Sequence, residues 1–434
     1  MSKILEVIIN RQIVNHMETQ QIFSNSQFAY RRRRGCGPAL QDLDSQIQEN
    51  RNDGRVVALI LTDMSAAFNV ITKSVLLPKM SFYGFDEQSC KMLDSYLTKR
   101  QTITCVNGKS SKPTTLGSGV GEGSVVGPTI FISGVCCVPS IAKETMIECS
   151  EVNIDARTGS NEFADDCSGF VACWTEDQLQ TGINIMMKNY KHYFGINGLA
   201  LNEMKCQVIV FRVKPPIRTL FLAGQSEVNC VRLLGLWIDN EGKFETHLSK
   251  VVQFCMHKIS VIKKIRNLMN TTTFKKIAEA LILSKIRYCL ELYGRPTRVQ
   301  VRLQRVMNIV MRVCLNADLR TRVVDMLRDL GWLNVANMFR FELCVNMRRI
   351  MWYRNAPYTF WLIVYKSQHD HMTRRQDLRM IWLKNNQHGR NSFVMTGVRV
   401  YNDLGLNPRW FKDFDEFKHD VKLEIIHRNG NGNL

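Results

Sequence analysis

The run Val56–Thr62, VVALILT, constrains this chain more than any other stretch. A strand with one wet face alternates apolar and polar residues. Seven unbroken apolar and β-branched positions instead suit a central strand covered on both faces. The run stops at Asp63, which puts a carboxylate at the end of a buried strand. Further along, Phe163-Ala164-Asp165-Asp166 stands between a polar approach and GFVACW, a pattern of strand, tight turn and strand. Carboxylates gathered at strand ends repel. At about 4 Å and an effective dielectric near 20, each pair costs on the order of 4 kcal/mol. Divalent cations remove that cost, and hard oxygen donors suit Mg²⁺. Two such ions about 3.5–4 Å apart clamp the attacking and leaving oxygens of an in-line phosphoryl transfer. Each piece alone has a plainer reading, since an aspartate at a strand end is usually a cap and an Asp-Asp turn is common.

Charge narrows the partners. The 434 residues carry 58 Lys and Arg against 39 Asp and Glu, a net charge of +19. Such an excess favours a polyanion through counterion release. A membrane is the weaker alternative, because no run of about 18 apolar residues occurs. The start, MSKILEVIINRQIVNHME, mixes charged and apolar residues at helical spacing, unlike a signal peptide. The 14 cysteines are scattered, with Cys136–Cys137 the only adjacent pair. They read as intracellular thiols, with neither disulfides nor a zinc spacing expected.

The periodicity predicts a helix over residues 4–18, then a basic loop, QFAYRRRRGCGPAL, leading into a polar helix near Leu40–Gln48. Helix is predicted over Gln88–Lys99 and a hairpin turn at Asn107–Gly108. A glycine-rich loop from Gly117 to Pro128 precedes an apolar helix from about Thr129. Thr175-Glu176-Asp177 opens a long helix whose apolar face is Leu179, Ile183, Met186 and Tyr190. Gln207–Arg212 and VRLLGLWID (231–239) each read as a strand. Beyond about residue 245 the pattern turns helical and basic, which marks the best domain boundary.

Together, LTDMSAAFNVI (61–71), GVGEGSVVGP (119–128), FADD (163–166), GLALNEMKCQVIVF (198–211) and LLGLWID (233–239) resemble the palm motifs of reverse transcriptases of non-LTR retrotransposons, most like the jockey-type LINE elements. The resemblance implies an α+β fold: a right-hand polymerase palm, an antiparallel sheet backed by helices, with partial fingers before it. A mostly helical thumb and a C-terminal region would follow. The divisions it implies are 1–55 partial fingers, 56–245 palm, 246–320 thumb and 321–434 a mainly helical, basic region. It implies an RNA-directed DNA polymerase that extends a DNA primer on an RNA template with deoxynucleoside triphosphates. Asp63 and Asp165 would bind two Mg²⁺ ions, with Mn²⁺ a possible substitute, and Asp166 would support them. Phe68 would lie beneath the incoming sugar and exclude a 2′-hydroxyl. Gly119, Gly123, Ser124 and Gly127 would approach nucleotide and template. Lys205 would stand near the triphosphate as proton donor, Leu234–Gly235 would form the primer grip, and Arg31 and Arg34 would touch template phosphates.

The match has departures. Gly121–Glu122 replaces the family's Pro-Gln, Asn69 its aspartate after the gate phenylalanine, and Thr72–Lys73 an Asp-His pair. The chain starts inside the fingers segment, which reads as a 5′-truncated copy. The alternative function is therefore a catalytically weak nucleic-acid-binding remnant of the same fold. An RNA-dependent RNA polymerase is disfavoured by Phe68. The nucleus or a cytoplasmic ribonucleoprotein is the expected location, and the sequence leaves the oligomeric state open.

Overall fold

The computed structural model describes residues 2–65, 67–121, 123–213, 215, 217–365, 378–380, 392–405 and 413–429. Its packing divides into two compact units. One comprises Met1–Ala39 and Gly54–Asn229, the other Leu40–Asp53 and Cys230–Leu434.

In the first unit, helix α1 (Ser2–Thr19) precedes the basic loop. Helix α2 (Cys36–Asn52), which belongs to the other unit from Leu40 onward, then leads to β1 (Val56–Thr62). Val57, Ala58, Leu59 and Ile60 of β1 are all fully buried, as a strand with both faces covered requires. Helix α3 (Lys73–Phe82), the glycine loop, α4 (Gly127–Gly134) and α5 (Ser140–Glu151) follow. The chain then returns through the hairpin β2 (Arg157–Phe163) and β3 (Asp166–Cys173). After α6 (Glu176–Ile196) it closes the sheet with β4 (Gln207–Phe211). The order is β4-β1-β3-β2, antiparallel throughout. The fold is thus α+β, with the antiparallel sheet backed by helices.

Helix α6 starts where its cap predicts: Thr175 Oγ1 accepts the Gln178 N–H at 3.3 Å. Its predicted apolar face, Leu179, Ile183, Met186 and Tyr190, is buried in the main core beside Ala58, Ile60 and Val171. Two glycines bring helix and sheet close. A Cβ on Gly169 would stand 2.6 Å from Tyr190 Oη, and one on Gly182 would stand 2.7 Å from Val171 Cγ1.

The second unit contains α2 and the carboxy-terminal half. Asp42 Oδ1 accepts the Thr359 N–H at 2.8 Å, and Gln41 Nε2 donates to Glu291 Oε1 at 2.7 Å. The stretch VRLLGLWID is not one strand. It folds into a hairpin, β5 (Cys230–Leu233) and β6 (Leu236–Asp239), because Leu234 (φ 46°) and Gly235 (φ 85°) both turn left-handed. Tyr288 Oη donates to the Leu234 carbonyl and holds that turn. The long helices are α7 (Glu245–Lys263), α8 (Thr297–Leu315) and α9 (Val335–Tyr353). His247, buried near the start of α7, accepts the Trp237 N–H on Nδ1 at 3.4 Å and meets the Tyr293 ring edge-on at 4.7 Å. No helix among the described residues is long and apolar enough to cross a membrane.

Candidate active site

The carboxylates are placed by strand register. Thr62 pairs with Cys167, so one further step sets Asp63 beside Asp166 where β1 and β3 part. Phe163 pairs with Asp166 across the β2–β3 hairpin, which leaves Ala164 and Asp165 as its two-residue turn. Ala164 carries φ 58°, the positive angle that a type II′ turn needs at its first central position. An alanine there costs about 1–2 kcal/mol relative to an ordinary conformation. Strain held at such a turn is a pointer to function.

The turn is tied down from below. Gln27, almost fully buried, accepts the Ala29 N–H on Oε1 at 2.9 Å and the Ala164 N–H on the same atom at 3.4 Å. Main-chain bonds fix Gln27 in turn: Phe28 N–H donates to Glu162 O, and Glu162 N–H to Ser26 O, each at 2.9 Å.

The electrostatics show that the acids share a field. Burial, then the charges of Asp165 and Asp63, hold the Asp166 carboxyl above the usual carboxylate range. The Tyr30 phenol is also pushed up, by burial and then by Asp165. Lys205 lies on the other side, its Nζ 3.5 Å from Asp63 Oδ2. It arrives there because Met64–Ser65 pairs with Ala200–Leu201 and Asn202 N–H donates to Asp63 O at 2.9 Å. Donor chemistry fits a divalent cation, with hard oxygens whose charges oppose one another. Among the described residues, however, no three acidic, cysteine or histidine side chains already converge as a ligand set.

Phe68 is half-buried, stacked on Phe131 at 4.3 Å with Tyr30 edge-on at 6.5 Å. Its carbonyl accepts the Val120 N–H at 2.8 Å, which joins the Phe68 segment to the glycine loop. Gly119 (φ 81°) lies so close that a Cβ would meet the Asn69 backbone at 2.7 Å, so no side chain fits. Ser124 Oγ accepts the Gly127 N–H at 2.7 Å and the Tyr96 hydroxyl at 2.8 Å, and so ties the loop to the first residue of α4. Gly127 has no room for a Cβ against that same oxygen, at 2.7 Å, while Gly123 turns left-handed at φ 73°.

Arg31 is a structural residue in this arrangement. Its side chain is 6% exposed and bridges Glu18 at 2.8 and 2.7 Å, besides the carbonyls of Ser24 and Gln27. Arg34 is exposed at its tip, donates to Asn25 and lies over the Phe28 ring at 5.2 Å. Leu234 and Gly235 belong to the second unit. Of the departures, the Asn69 carbonyl accepts the Ser118 hydroxyl at 2.9 Å, and Lys73 pairs with Asp94 at 3.0 Å. Glu122 and Ala66 lie outside the described residues.

A family model for reverse transcriptase (RNA-dependent DNA polymerase) matches residues 2–238, more than half of the chain and all the motifs named above save the last residue, Asp239. The chain belongs to the reverse transcriptase family. Among curated relatives, this chain is similar to the RNA-directed DNA polymerase from mobile element jockey of Drosophila melanogaster. It is 20% identical over 341 residues, 76% of this chain and 36% of the relative. The probable RNA-directed DNA polymerase from transposon BS of the same fly is 21% identical over 346 residues, 76% of this chain and 37% of its own. The chain thus spans a little over a third of the length of the curated relatives it matches. Among solved structures, apo telomerase from Candida tropicalis is similar over 80% of this chain and 59% of its own, at 8% identity and a TM-score of 0.41.

Three residues at or near the motifs escaped sequence reasoning. Gln27 and Tyr30 sit in the segment QFAY, where only the arginines that follow attract notice. Tyr288, which pins the Leu234–Gly235 turn, has no local pattern to mark it.

Proposed function

We propose that this chain carries out RNA-directed DNA synthesis, adding deoxynucleotides to a DNA primer on an RNA template. The observation that carries the reading is the meeting of Asp63 with the Asp165–Asp166 turn at the ends of two neighbouring strands. Asp63, Asp165 and Asp166 would hold two Mg²⁺ ions, which supply charge neutralisation at the attacking and leaving oxygens when bound. The chain's own groups do the rest. The Phe68 ring, held by Phe131, blocks a ribose 2′-hydroxyl. Lys205, poised beside Asp63, gives a proton to the departing pyrophosphate. Gly119, Gly123 and Gly127 leave the loop without side chains where nucleotide and template approach, and Ser124 fixes the helix behind it. Arg34 and the net charge of +19 favour template phosphates, which adds affinity without reading sequence. Leu234–Gly235 would grip the primer. On this reading residues 1–55 belong to the fingers, 56–245 to the palm, 246–320 to the thumb and 321–434 to a basic region in contact with RNA.

Primer extension on poly(rA)/oligo(dT) with dTTP and Mg²⁺ tests it. Product that vanishes in Asp165→Ala supports the proposal. Salt-sensitive RNA binding without product in either protein replaces it with the remnant reading, a basic polymerase fold that binds and does not copy. A preference for ribonucleotides would make the chain an RNA polymerase instead.

A further inference from the structure

One side chain beside the carboxylates has no part in the roles assigned so far. Tyr30 follows Phe28 and Ala29, both buried, and precedes Arg31, which Glu18 and the carbonyls of Ser24 and Gln27 hold. Between these anchors the Tyr30 side chain is itself half exposed. Its backbone is left-handed, at φ 56°. That region disfavours a bulky side chain and persists only where the surroundings impose it. Here they reach as far as the Asp165 turn. A single oxygen, Gln27 Oε1, accepts the N–H of Ala29 and the N–H of Ala164. It thereby fixes the residue before Tyr30 against the residue before Asp165. The Tyr30 ring lies edge-on to Phe68, with centroids 6.5 Å apart and planes at 87°. Phe131 stacks on Phe68 at 4.3 Å. The Tyr30 hydroxyl has no hydrogen-bond partner among the described residues. A tyrosine that served packing alone would bury its ring and need no strained backbone.

We propose that Tyr30 is a nucleotide-binding residue. Its ring forms a side wall of the pocket whose floor is Phe68, and its hydroxyl donates a hydrogen bond to an oxygen of the incoming deoxynucleoside triphosphate. This rests on the reading that Phe68 lies beneath the sugar and that Asp165 helps to hold the metal ions.

The chemistry suits a donor in that place. Burial, then the nearby charge of Asp165, holds the phenol above its ordinary value, so the hydroxyl keeps its proton. A nucleotide that enters between Phe68 and Asp165 brings oxygens that accept it, on the sugar or on the phosphates. The nucleotide oxygen takes the place of water on the hydroxyl, so the net gain is that of one hydrogen bond, a several-fold effect on affinity. Ring and hydroxyl are separable. Tyr30→Phe removes only the donor, whereas Tyr30→Ala removes the wall as well.

The test is calorimetric titration of dTTP with Mg²⁺ into the full chain bound to poly(rA) and a dideoxy-terminated oligo(dT), which reads binding without chemistry. Tyr30→Phe should bind dTTP about fivefold more weakly than wild type, and Tyr30→Ala more weakly still. In primer extension with an ordinary primer, the loss in Tyr30→Phe should fall on KM, with kcat kept within about twofold. Denaturant melts of Tyr30→Phe should match wild type, because the ring and its contacts stay. Equal dTTP affinity in wild type and Tyr30→Phe, absence of binding included, overturns the proposal. If wild type still extends the primer in that case, the polymerase reading stands and only the Tyr30 contact is lost. Weaker dTTP binding by Tyr30→Phe, with no extension by either protein, supports the contact and removes the polymerase reading instead.

Discussion

The side-chain oxygen of Gln27 accepts the backbone N–H of Ala164, the residue that turns the chain into Asp165. Gln27→Leu removes the acceptor and leaves the Ala29 and Ala164 donors unmatched in a buried place. A cost of about 1–3 kcal/mol per unmatched group is expected. Gln27→Glu keeps an acceptor in the same position. Denaturant melts should rank wild type above Gln27→Glu and both above Gln27→Leu, and primer extension should fall in the same order. Equal extension by Gln27→Leu and wild type would mean that the turn keeps its shape unaided.

Asp166 titrates high because it is buried and faces Asp165 and Asp63. Without a divalent ion, Asp166→Asn should relieve repulsion and leave the melting temperature unchanged or higher. With millimolar Mg²⁺, wild type should gain stability that Asp63→Asn lacks, because only the ligand-bearing fold binds the ion. Incorporation by Asp63→Asn or Asp165→Asn should drop by about a hundredfold or more, the loss of several kcal/mol of charge stabilisation. Mg²⁺ titrations followed by calorimetry would settle the binding half of this without reference to activity.

His247 is buried with its Nδ1 committed as an acceptor, and burial followed by the Lys285 charge lowers it to about 4. The unfolded histidine titrates near 6.5, so the unfolded chain binds the extra proton first as acid is added. The stability from neutral His247 is complete above pH 6.5 and drains away between pH 6.5 and about 4. The span corresponds to roughly 3 kcal/mol. Thermal melts of wild type should therefore slope through that window, and those of His247→Gln should slope less. Parallel slopes would assign the acid sensitivity to other groups.

Glu162 works in the opposite direction. Burial pushes its carboxyl up to about 7, against 4.5 for an ordinary glutamate. Between those values the folded chain keeps a proton that the unfolded chain has lost, so stability declines as pH rises from 4.5 to about 7. Glu162→Gln retains shape and stays neutral. It should stabilise the chain at pH 8 by roughly 2–3 kcal/mol and change little at pH 4.5. A lower melting temperature for Glu162→Gln at pH 8 would show that the charged form has a partner worth more than its burial cost.

Much of the first unit was legible because its signals are local. An unbroken apolar run marks β1, a threonine cap and a regular apolar face mark α6, and Asn107–Gly108 marks its hairpin. The carboxylates were legible as motifs, and the register of β1 against β3 supplies the geometry that motifs lack. What stayed hidden depends on distant partners or disguised turns. Leu234 in a left-handed turn looks like one more strand residue. Helix α2 reads as part of the amino-terminal segment, yet its hydrogen bonds run to Thr359 and Glu291, more than two hundred residues away. Arg31 looks like a free cation until Glu18 is seen beside it.

The sheet order carries a consequence for synthesis on the ribosome. Strand β1 finishes at Thr62, but its neighbours are residues 166–173 and 207–211. At about 5–20 residues per second, the most apolar strand waits roughly 7–30 s for its second partner. Both of its edges are open until residue 173 is made, and one edge stays open until residue 211. A nascent chain of this kind offers a sticky ribbon to chaperones and to its own copies, and slowing translation before residue 211 should increase the fraction that aggregates.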